Sequence, residues 1–166
     1  MFSSNDMTWY TPHDLFNRLN REFHFTLDPC AYFNTAKCFH YYDPEQNGLV
    51  QDWSNERVFC NPPYGREIYT WVQKCYEESL KGALVVMLIP ARVDTLYFHN
   101  FCLKAKEIRF IKGRLKFGGS NNPAPFPSMI VIFDNTNNTE LKVSPYIQKL
   151  QPLLEYDNPL PLISYI

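Results

Sequence analysis

The sequence predicts an α/β fold built on one open, mostly parallel sheet, and three patterns support this prediction. Apolar segments of strand length alternate with amphipathic segments of helical spacing along most of the chain. Residues 83–89 carry no charge, which is typical of a central strand buried on both faces. No helical pattern separates the late apolar segments 107–117 and 129–133, so we expect them to form a C-terminal antiparallel hairpin.

The composition indicates one domain and limits the classes of function. At 166 residues the chain is long enough to bury a core, and no repeat divides it. We therefore expect a single domain over residues 1–166, with a core over about 9–134 and a C-terminal extension over 135–166. The net charge of −1 argues against general polyanion binding, so any contact with nucleic acid must be local. Thirteen Phe, eleven Tyr and three Trp suit base stacking as well as core packing.

The five cysteines indicate a reduced protein without a metal site. Their number is odd and none forms a Cys-x-x-Cys pair, so we expect buried thiols in a cytosolic protein. A zinc site from Cys30, Cys38 and His40 does not fit the usual ligand spacing, and we expect no metal. No apolar run reaches about 18 residues and the first residues lack a signal-peptide pattern, so we expect a soluble intracellular protein without a membrane partner.

The first elements follow from apolar spacing and from one capping signal. Apolar residues at helical spacing predict a helix over residues 13–22, with Thr11 as its N-cap and Pro12 at its first position. Alternation of apolar and polar residues predicts a strand over 23–27, and a short strand is expected over 39–42.

The remaining elements follow from the same reasoning, with glycines and prolines marking their ends. We expect strands at residues 57–60, 83–89, 107–111 and 129–133, and helices at 67–80, 95–103 and, in the C-terminal extension, 146–154.

Acidic residues follow several predicted strands, and strand ends of this kind gather at one edge of an open α/β sheet. Asp28 begins the turn Asp28-Pro29-Cys30-Ala31, Asp43 follows the short second strand, and Asp52 precedes Trp53. These carboxylates could accept hydrogen bonds from ribose hydroxyls or an adenine amine, and Trp53 could stack on a ring. Each acid could instead end a turn, and Trp53 could belong to the core.

The most informative stretch is Asn61-Pro62-Pro63-Tyr64, which follows the strand predicted over 57–60. Two consecutive prolines remove two backbone donors, so we expect the carbonyls of Asn61 and Pro62 to stay available to a ligand. The Asn61 side chain adds an acceptor and a donor, and Tyr64 adds a flat aromatic face. Acceptors beside a ring suit an exocyclic amine on a planar base; the structural alternative is a Pro-Pro turn that caps the next helix.

A basic segment over residues 104–116 is the best candidate for phosphate contacts. Its six cations face a single acid, Glu107, although such a segment can also be only a solvated face. Polar residues in the adjoining loop could read base edges. The residues for which we expect DNA contacts here are Lys112, Arg114, Lys116, Asn121 and Asn122.

Several motifs together resemble one enzyme family. Asn61-Pro62-Pro63-Tyr64 after a buried strand resembles the amino-methyltransferase motif of S-adenosylmethionine-dependent enzymes. The wider pattern resembles the small phage-type DNA N6-adenine methyltransferases. Its segments are Trp9-x-Thr11-Pro12, Leu27-Asp28-Pro29-Cys30-Ala31, Asp52-Trp53, Leu88-Ile89-Pro90-Ala91-Arg92-x-Asp94-Thr95 and Arg109-Phe110-x-x-Gly113-Arg114-x-x-Phe117.

The resemblance implies a Rossmann-like methyltransferase sheet with helices on both faces and S-adenosylmethionine as cofactor. Thr11 and Pro12 would lie against the methionine part of the cofactor, while Asp43 and Asp52 would hold its ribose and adenine. The full set of residues implied to contact the cofactor is Thr11, Pro12, Asp28, Pro29, Cys30, Ala31, Asp43, Asp52, Trp53 and Asn61.

The resemblance also implies DNA as partner and adenine N6 as the methyl acceptor. Asn61 and the Pro62 carbonyl would accept the two N6 hydrogens, with Pro63 completing the catalytic motif. Tyr64 would stack on the flipped base, and Phe117 would form a second aromatic wall. The enzyme would be phage- or prophage-encoded and act in the cytoplasm of a bacterial host.

Two alternatives to this function remain. RNA or a protein glutamine amide presents the same two amine hydrogens and could replace DNA as the substrate. A catalytically silent module could keep the fold and only bind cofactor or DNA, although the intact Asn61 to Tyr64 motif argues against it.

Overall fold

The computed structural model describes residues 9–118, 120–135 and 140–146, and within them seven strands form one sheet. The strand order is β2-β1-β3-β4-β6-β5-β7. The strands are β1 (Leu27–Asp28), β2 (His40–Tyr41), β3 (Arg57–Cys60), β4 (Leu84–Pro90), β5 (Glu107–Ile111), β6 (Ser128–Phe133) and β7 (Lys142–Tyr146).

The described strands run in one direction except β6, which confirms the predicted mixture. β1, β2, β3 and β4 pair in parallel, and β7 pairs in parallel with β5. β6 is antiparallel to both of its neighbours, with Leu88 of β4 opposite Ile130 and Ile108 of β5 opposite Val131. The carboxyl ends of β1 to β5 therefore lie along one edge of the sheet.

Helices cover both faces of the sheet, as expected. α1 (His13–Phe23) packs on one face with Val86 and Leu88 of β4, while α2 (Ile68–Leu80) packs on the other face with Val85 and Met87. α3 (Leu96–Asn100) joins the α2 layer. β4 is thus covered on both faces, which explains why its sequence lacks charges.

Two of the predicted elements near the N-terminus differ from the structure. The strand predicted over 23–27 is wrong in most of its length. The last residue of α1 is Phe23, and the C-cap residue His24 has a left-handed φ of 52°. β1 comprises only Leu27–Asp28. Thr11 does not cap α1: Pro12 occupies the N-cap position, and no side chain caps the helix.

Later predictions are closer, apart from the C-terminal region. The predicted helix over 95–103 is divided into α3 and a short 3-10 helix, Cys102–Lys104. β7 lies beyond the expected core boundary at about 134 and was not predicted. The helix expected over 146–154 lies outside the described residues beyond its first position. In the described part of the chain, no helix has the length and apolar character to cross a membrane.

Candidate active site

A cleft of about 750 Å³ lies at the carboxyl edge of the sheet. Its walls come from the segment before α1, from the turns after β1 and β3, and from the loop between β2 and β3. Ligands of open α/β sheets bind outside the carboxyl ends of the strands, and this volume is typical of a small-molecule site. The cleft contains ten of the predicted site residues: Thr11, Asp28, Pro29, Cys30, Ala31, Asp43, Asn61, Pro62, Pro63 and Tyr64.

The side chain of Asn61 is held by three hydrogen bonds. Its Nδ2 donates to the Trp9 carbonyl at 2.6 Å and to Thr11 Oγ1 at 2.9 Å. Its Oδ1 accepts from the Tyr64 hydroxyl at 2.7 Å. The same hydroxyl lies 3.0 Å from the Leu88 carbonyl of β4, so two acceptors compete for one proton.

Tyr64 lines the cleft as a half-buried ring supported by other aromatics. Its ring centroid lies 5.6 Å from that of Phe126 and 6.2 Å from that of Phe117, both in edge-type contacts. Phe117 is itself buried and does not line the cleft, so it supports the Tyr64 ring, and its implied place as a second aromatic wall stays a prediction. Burial raises the pKa of Tyr64 well above its ordinary value, which keeps the hydroxyl protonated.

The two prolines of the motif differ in exposure. Pro62 is buried and Pro63 is exposed, and both line the cleft. The Pro62 carbonyl accepts no hydrogen bond from any described residue, as expected. The backbone carbonyl of Asn61 does not stay free: it accepts a hydrogen bond from the Cys30 thiol at 3.3 Å, because the turn after β1 packs against it.

Asp28 lies at the base of the cleft at 5% exposure. Its carboxylate accepts hydrogen bonds from the backbone amides of Lys37 at 3.0 Å and Cys30 at 3.5 Å. Burial nevertheless dominates and raises the pKa of Asp28 to about 6. The carboxylate is therefore mostly ionised at neutral pH but loses its charge in mildly acidic solution.

The thiols beside the motif are not activated. Cys30 Sγ lies 3.8 Å from Cys60 Sγ, and this contact together with burial raises the pKa of Cys30 well above its ordinary value. Burial likewise raises the pKa of Cys60. Neither thiol is suited to act as a thiolate nucleophile. No group of three possible metal-ligating side chains occurs among the described residues.

Three of the residues implied as cofactor contacts lie outside the cleft. Pro12 occupies the N-cap position of α1. Asp52 is exposed and accepts hydrogen bonds from the backbone amide and hydroxyl of Ser54, so it shapes a turn. Trp53 is fully buried, and its indole nitrogen donates to the Gly48 carbonyl at 3.0 Å, so the core alternative holds for this residue.

One wall of the cleft, formed by Asn47, Gly48 and Leu49, and also Trp71 of α2 were not predicted from the sequence. A Cβ on Gly48 would lie 2.0 Å from the Pro29 carbonyl oxygen, so only glycine allows this loop to approach the first turn. Trp71 stacks on Trp53 with centroids 6.4 Å apart. The isolated glycine after β2 was a usable signal, whereas the helical position of Trp71 resembled that of any core residue.

The basic segment divides into two parts. Lys106 pairs with Asp134 at 2.6 Å, and Arg109 pairs with Glu22 and Glu107. The three cations that follow β5 are exposed, as are the two asparagines of the following loop. These exposed residues are Lys112, Arg114, Lys116, Asn121 and Asn122.

One hydrogen bond joins the end of this basic segment to the cleft. The Gly118 amide donates to the carbonyl of Tyr10, which lines the cleft, at 2.8 Å. The exposed cations therefore come just before Gly118 in the sequence, and Gly118 contacts the wall of the cleft.

The mostly parallel sheet, the cleft at its carboxyl edge and the Asn-Pro-Pro-Tyr turn after β3 define a Rossmann-like methyltransferase fold. The model of the DNA N-6-adenine-methyltransferase (Dam) family matches residues 2–151. The chain belongs to this family.

Two curated relatives are similar to parts of the chain. The DNA N-6-adenine-methyltransferase of Escherichia phage T1 is 32% identical over 110 residues, which cover 64% of this chain and 45% of the relative. YfdM of Escherichia coli (strain K12) is 40% identical over 63 residues, and it is provisionally described as a methyltransferase. That match covers 34% of this chain and 69% of YfdM. The chain thus spans less than half the length of the phage T1 relative.

Proposed function

We propose that this protein transfers a methyl group from S-adenosylmethionine to the N6 amine of adenine in DNA. The observation that carries the proposal is the pair of acceptors in the cleft, Asn61 Oδ1 and the Pro62 carbonyl, beside the Tyr64 ring. Family membership and the name of the phage T1 relative support the same reaction. We also propose that residues 1–166 form a single methyltransferase domain that acts in the cytoplasm of a bacterial host.

The chemistry of the cleft fits the proposed cofactor. The buried carboxylate of Asp28 suits an ammonium group, and Asp43 at the cleft wall suits ribose hydroxyls. The buried indole nitrogen of Trp71 has no hydrogen-bond partner in the described part of the chain, so this cleft residue keeps an unused donor. S-adenosylmethionine would supply a methyl group made electrophilic by its sulfonium.

In the proposed reaction, Asn61 and Pro62 accept hydrogen bonds from the two N–H groups of the target amine. The lone pair of an adenine amine is delocalised into the ring, so the amine is a poor nucleophile. Two acceptors that hold its hydrogens favour a more pyramidal nitrogen, whose lone pair can point at the methyl group. With S-adenosylmethionine bound, a C–S bond of the sulfonium would break as the N–C bond forms, and the surplus proton of the amine would pass to solvent. Asn61 and Pro62 would contribute by positioning the amine.

No side chain of the motif acts as a general base in this scheme. The raised pKa values of Tyr64, Cys30 and Cys60 keep all three groups protonated near neutral pH. Tyr64 instead offers its ring to the adenine after the base has left the DNA stack. Flipping costs a few kcal/mol, which stacking on an aromatic ring partly offsets.

The exposed cations Lys112, Arg114 and Lys116 support DNA rather than a protein glutamine as the substrate. In the proposed complex they contact phosphates, and Asn121 and Asn122 reach base edges. Their place after the carboxyl end of β5 puts them on the same edge of the sheet as the cleft.

A labelling experiment tests the proposed function. Wild-type protein is incubated with S-adenosylmethionine carrying a radioactive methyl group and with duplex DNA, and the DNA is digested to nucleosides. We expect label in N6-methyl-2′-deoxyadenosine with the wild type and none with Asn61→Ala, which loses one acceptor. Asn17→Ala, an exposed substitution on α1, is the matched control and should retain full activity.

The outcomes separate the alternatives. Full activity of Asn61→Ala contradicts the proposed mechanism. Cofactor binding by calorimetry without label on DNA directs the search to RNA or a glutamine amide, and the absence of cofactor binding contradicts the proposed function altogether.

A further inference from the structure

The hydrogen bonds around Asn61 determine which way its amide points. A backbone carbonyl can only accept, so the Trp9 carbonyl at 2.6 Å must face the amide nitrogen of Asn61. The oxygen Oδ1 then faces the Tyr64 hydroxyl, which donates to it at 2.7 Å. The orientation of the amide therefore follows from the chemistry of its neighbours.

The same bonds leave a defined number of free positions. Both hydrogens of Nδ2 are used, one by the Trp9 carbonyl and one by Thr11 Oγ1 at 2.9 Å. An amide oxygen has two lone pairs, and the Tyr64 hydroxyl lies 2.7 Å away on the side of one of them, whether its proton goes to Oδ1 or to the Leu88 carbonyl. Asn61 thus presents a single acceptor position to the cleft and no donor.

This count matches the needs of the proposed reaction. An adenine amine has two hydrogens, and the Pro62 carbonyl, which no described residue uses, can accept the second. A reversed Asn61 amide would turn N–H groups toward the amine, so that two donors would face each other. Only the observed orientation gives the amine two acceptors.

We propose that Thr11, together with the Trp9 carbonyl, is a positioning group that fixes the Asn61 amide in its acceptor orientation. The inference rests on the proposed function and adds a role that differs from the expected contact with the methionine part of the cofactor. Thr11 is 4% exposed, and its hydroxyl oxygen is engaged by Asn61.

The surrounding packing holds these two positioning residues in place. The Trp9 ring contacts Phe117 and Phe126 with centroids 5.2 and 5.1 Å apart. Between Trp9 and Thr11, the Tyr10 carbonyl accepts a hydrogen bond from the Gly118 amide at 2.8 Å. The segment before α1 is therefore anchored on the late part of the chain, independently of any ligand.

Two substitutions at Thr11 provide the kinetic test. Thr11→Val keeps the shape of the side chain but removes the acceptor, so the amide is less firmly held. We expect kcat for DNA methylation to fall about tenfold, the effect of one lost hydrogen bond. The Kd for S-adenosylmethionine should stay within about twofold of the wild type. Thr11→Ser keeps the hydroxyl and should restore most of kcat.

A spectroscopic test reads the Asn61 amide without any turnover. In protein labelled with ¹⁵N, the Asn61 side-chain NH₂ signals are identified by their loss in Asn61→Ala. In Thr11→Val one of these protons should exchange faster with solvent. Tyr64→Phe removes the hydroxyl that contacts Oδ1 and the Leu88 carbonyl but leaves both contacts of Nδ2 in place, so both protons should remain protected in that variant.

The results distinguish this inference from the proposed function. Unchanged kcat and unchanged proton exchange in Thr11→Val, with Asn61→Ala inactive, overturn the positioning role alone. A large increase in the cofactor Kd with kcat unchanged at saturating cofactor assigns Thr11 to the cofactor and also overturns it. Full activity of Asn61→Ala would instead remove the mechanism on which the inference rests.

Discussion

Asp28 combines two opposing influences on one carboxylate. Two backbone amides donate to it, which favours the charged form, but burial at 5% exposure disfavours that form more strongly. The result is a pKa raised from 3.8 to about 6.

The raised pKa of Asp28 makes a contribution to stability that depends on pH. Between pH about 4 and about 6 the folded protein binds more protons at this residue than the unfolded chain, so this contribution falls as pH rises. Asp28→Asn removes it, and the stability of the variant relative to the wild type should therefore increase from pH 4 to pH 7. Urea unfolding of both proteins at several pH values measures this difference, and a difference independent of pH would contradict the assignment.

At the scale of elements, α2 is joined to the cleft wall through one buried acid. Glu78 accepts hydrogen bonds from the Trp53 amide at 2.9 Å and from Lys74 and Lys81 at 2.6 and 2.8 Å. Burial raises the pKa of Glu78, but the hydrogen bonds from Lys74, Lys81 and the Trp53 amide, together with the charge of Lys74, bring the pKa below its ordinary value. Because Trp53 also donates to Gly48, the chain of contacts runs from α2 to the wall of the cleft.

Removing the Glu78 carboxylate should destabilise the fold markedly. Glu78→Ala leaves the Trp53 amide and the largely buried Lys74 without this acceptor, and we expect the free energy of unfolding to fall by about 3 kcal/mol. Glu77→Ala is the matched control, because Glu77 is exposed and among the described residues hydrogen-bonds only Gln73, and it should change stability by no more than about 0.5 kcal/mol. Urea unfolding provides the comparison; equal effects of the two substitutions would show that the buried contacts do not stabilise the wall.

The elements that could be predicted are those in which the spacing of apolar residues matches the period of a strand or a helix. β3, α2 and β4 were predicted to within one residue at each end, because their apolar periodicity reflects burial directly. β7 was missed because Pro145 argues against a strand. In the structure β7 lies at the edge of the described sheet, where a missing N–H is tolerated.

The candidate site was predictable where the motif itself supplies the chemistry. The acceptors of Asn61 and Pro62 follow from residue types, and the structure brings them into one cleft. The roles of the two tryptophans were not predictable: Trp53 was considered for stacking on a ring, whereas the helical position of Trp71 indicated only a core residue. Tertiary packing buries the first completely and leaves the second at the cleft, and no local pattern encodes that difference.

At the scale of the whole molecule, charge is distributed unevenly although the net charge is only −1. Lys106 and Arg109 are paired with acids within the fold. The exposed Arg114 and Lys116 follow the carboxyl end of β5, on the edge that holds the cleft, and have no ion-pair partner among the described residues. A nearly neutral protein can in this way present a local positive surface beside its active site.

Arg114→Ala combined with Lys116→Ala should weaken DNA binding and its dependence on salt. Each phosphate contact contributes about 0.9 to the slope of log K against log salt concentration, so the double substitution should reduce the slope by about 2. Lys104→Ala with Lys142→Ala removes the same charge at the amino ends of β5 and β7, away from the carboxyl edge that holds the cleft, and should leave the slope unchanged. Fluorescence anisotropy with a labelled duplex at several salt concentrations measures both slopes. Equal slopes for the two double variants would mean that the cations beside the cleft face solvent, and that DNA reaches Asn61 from another side.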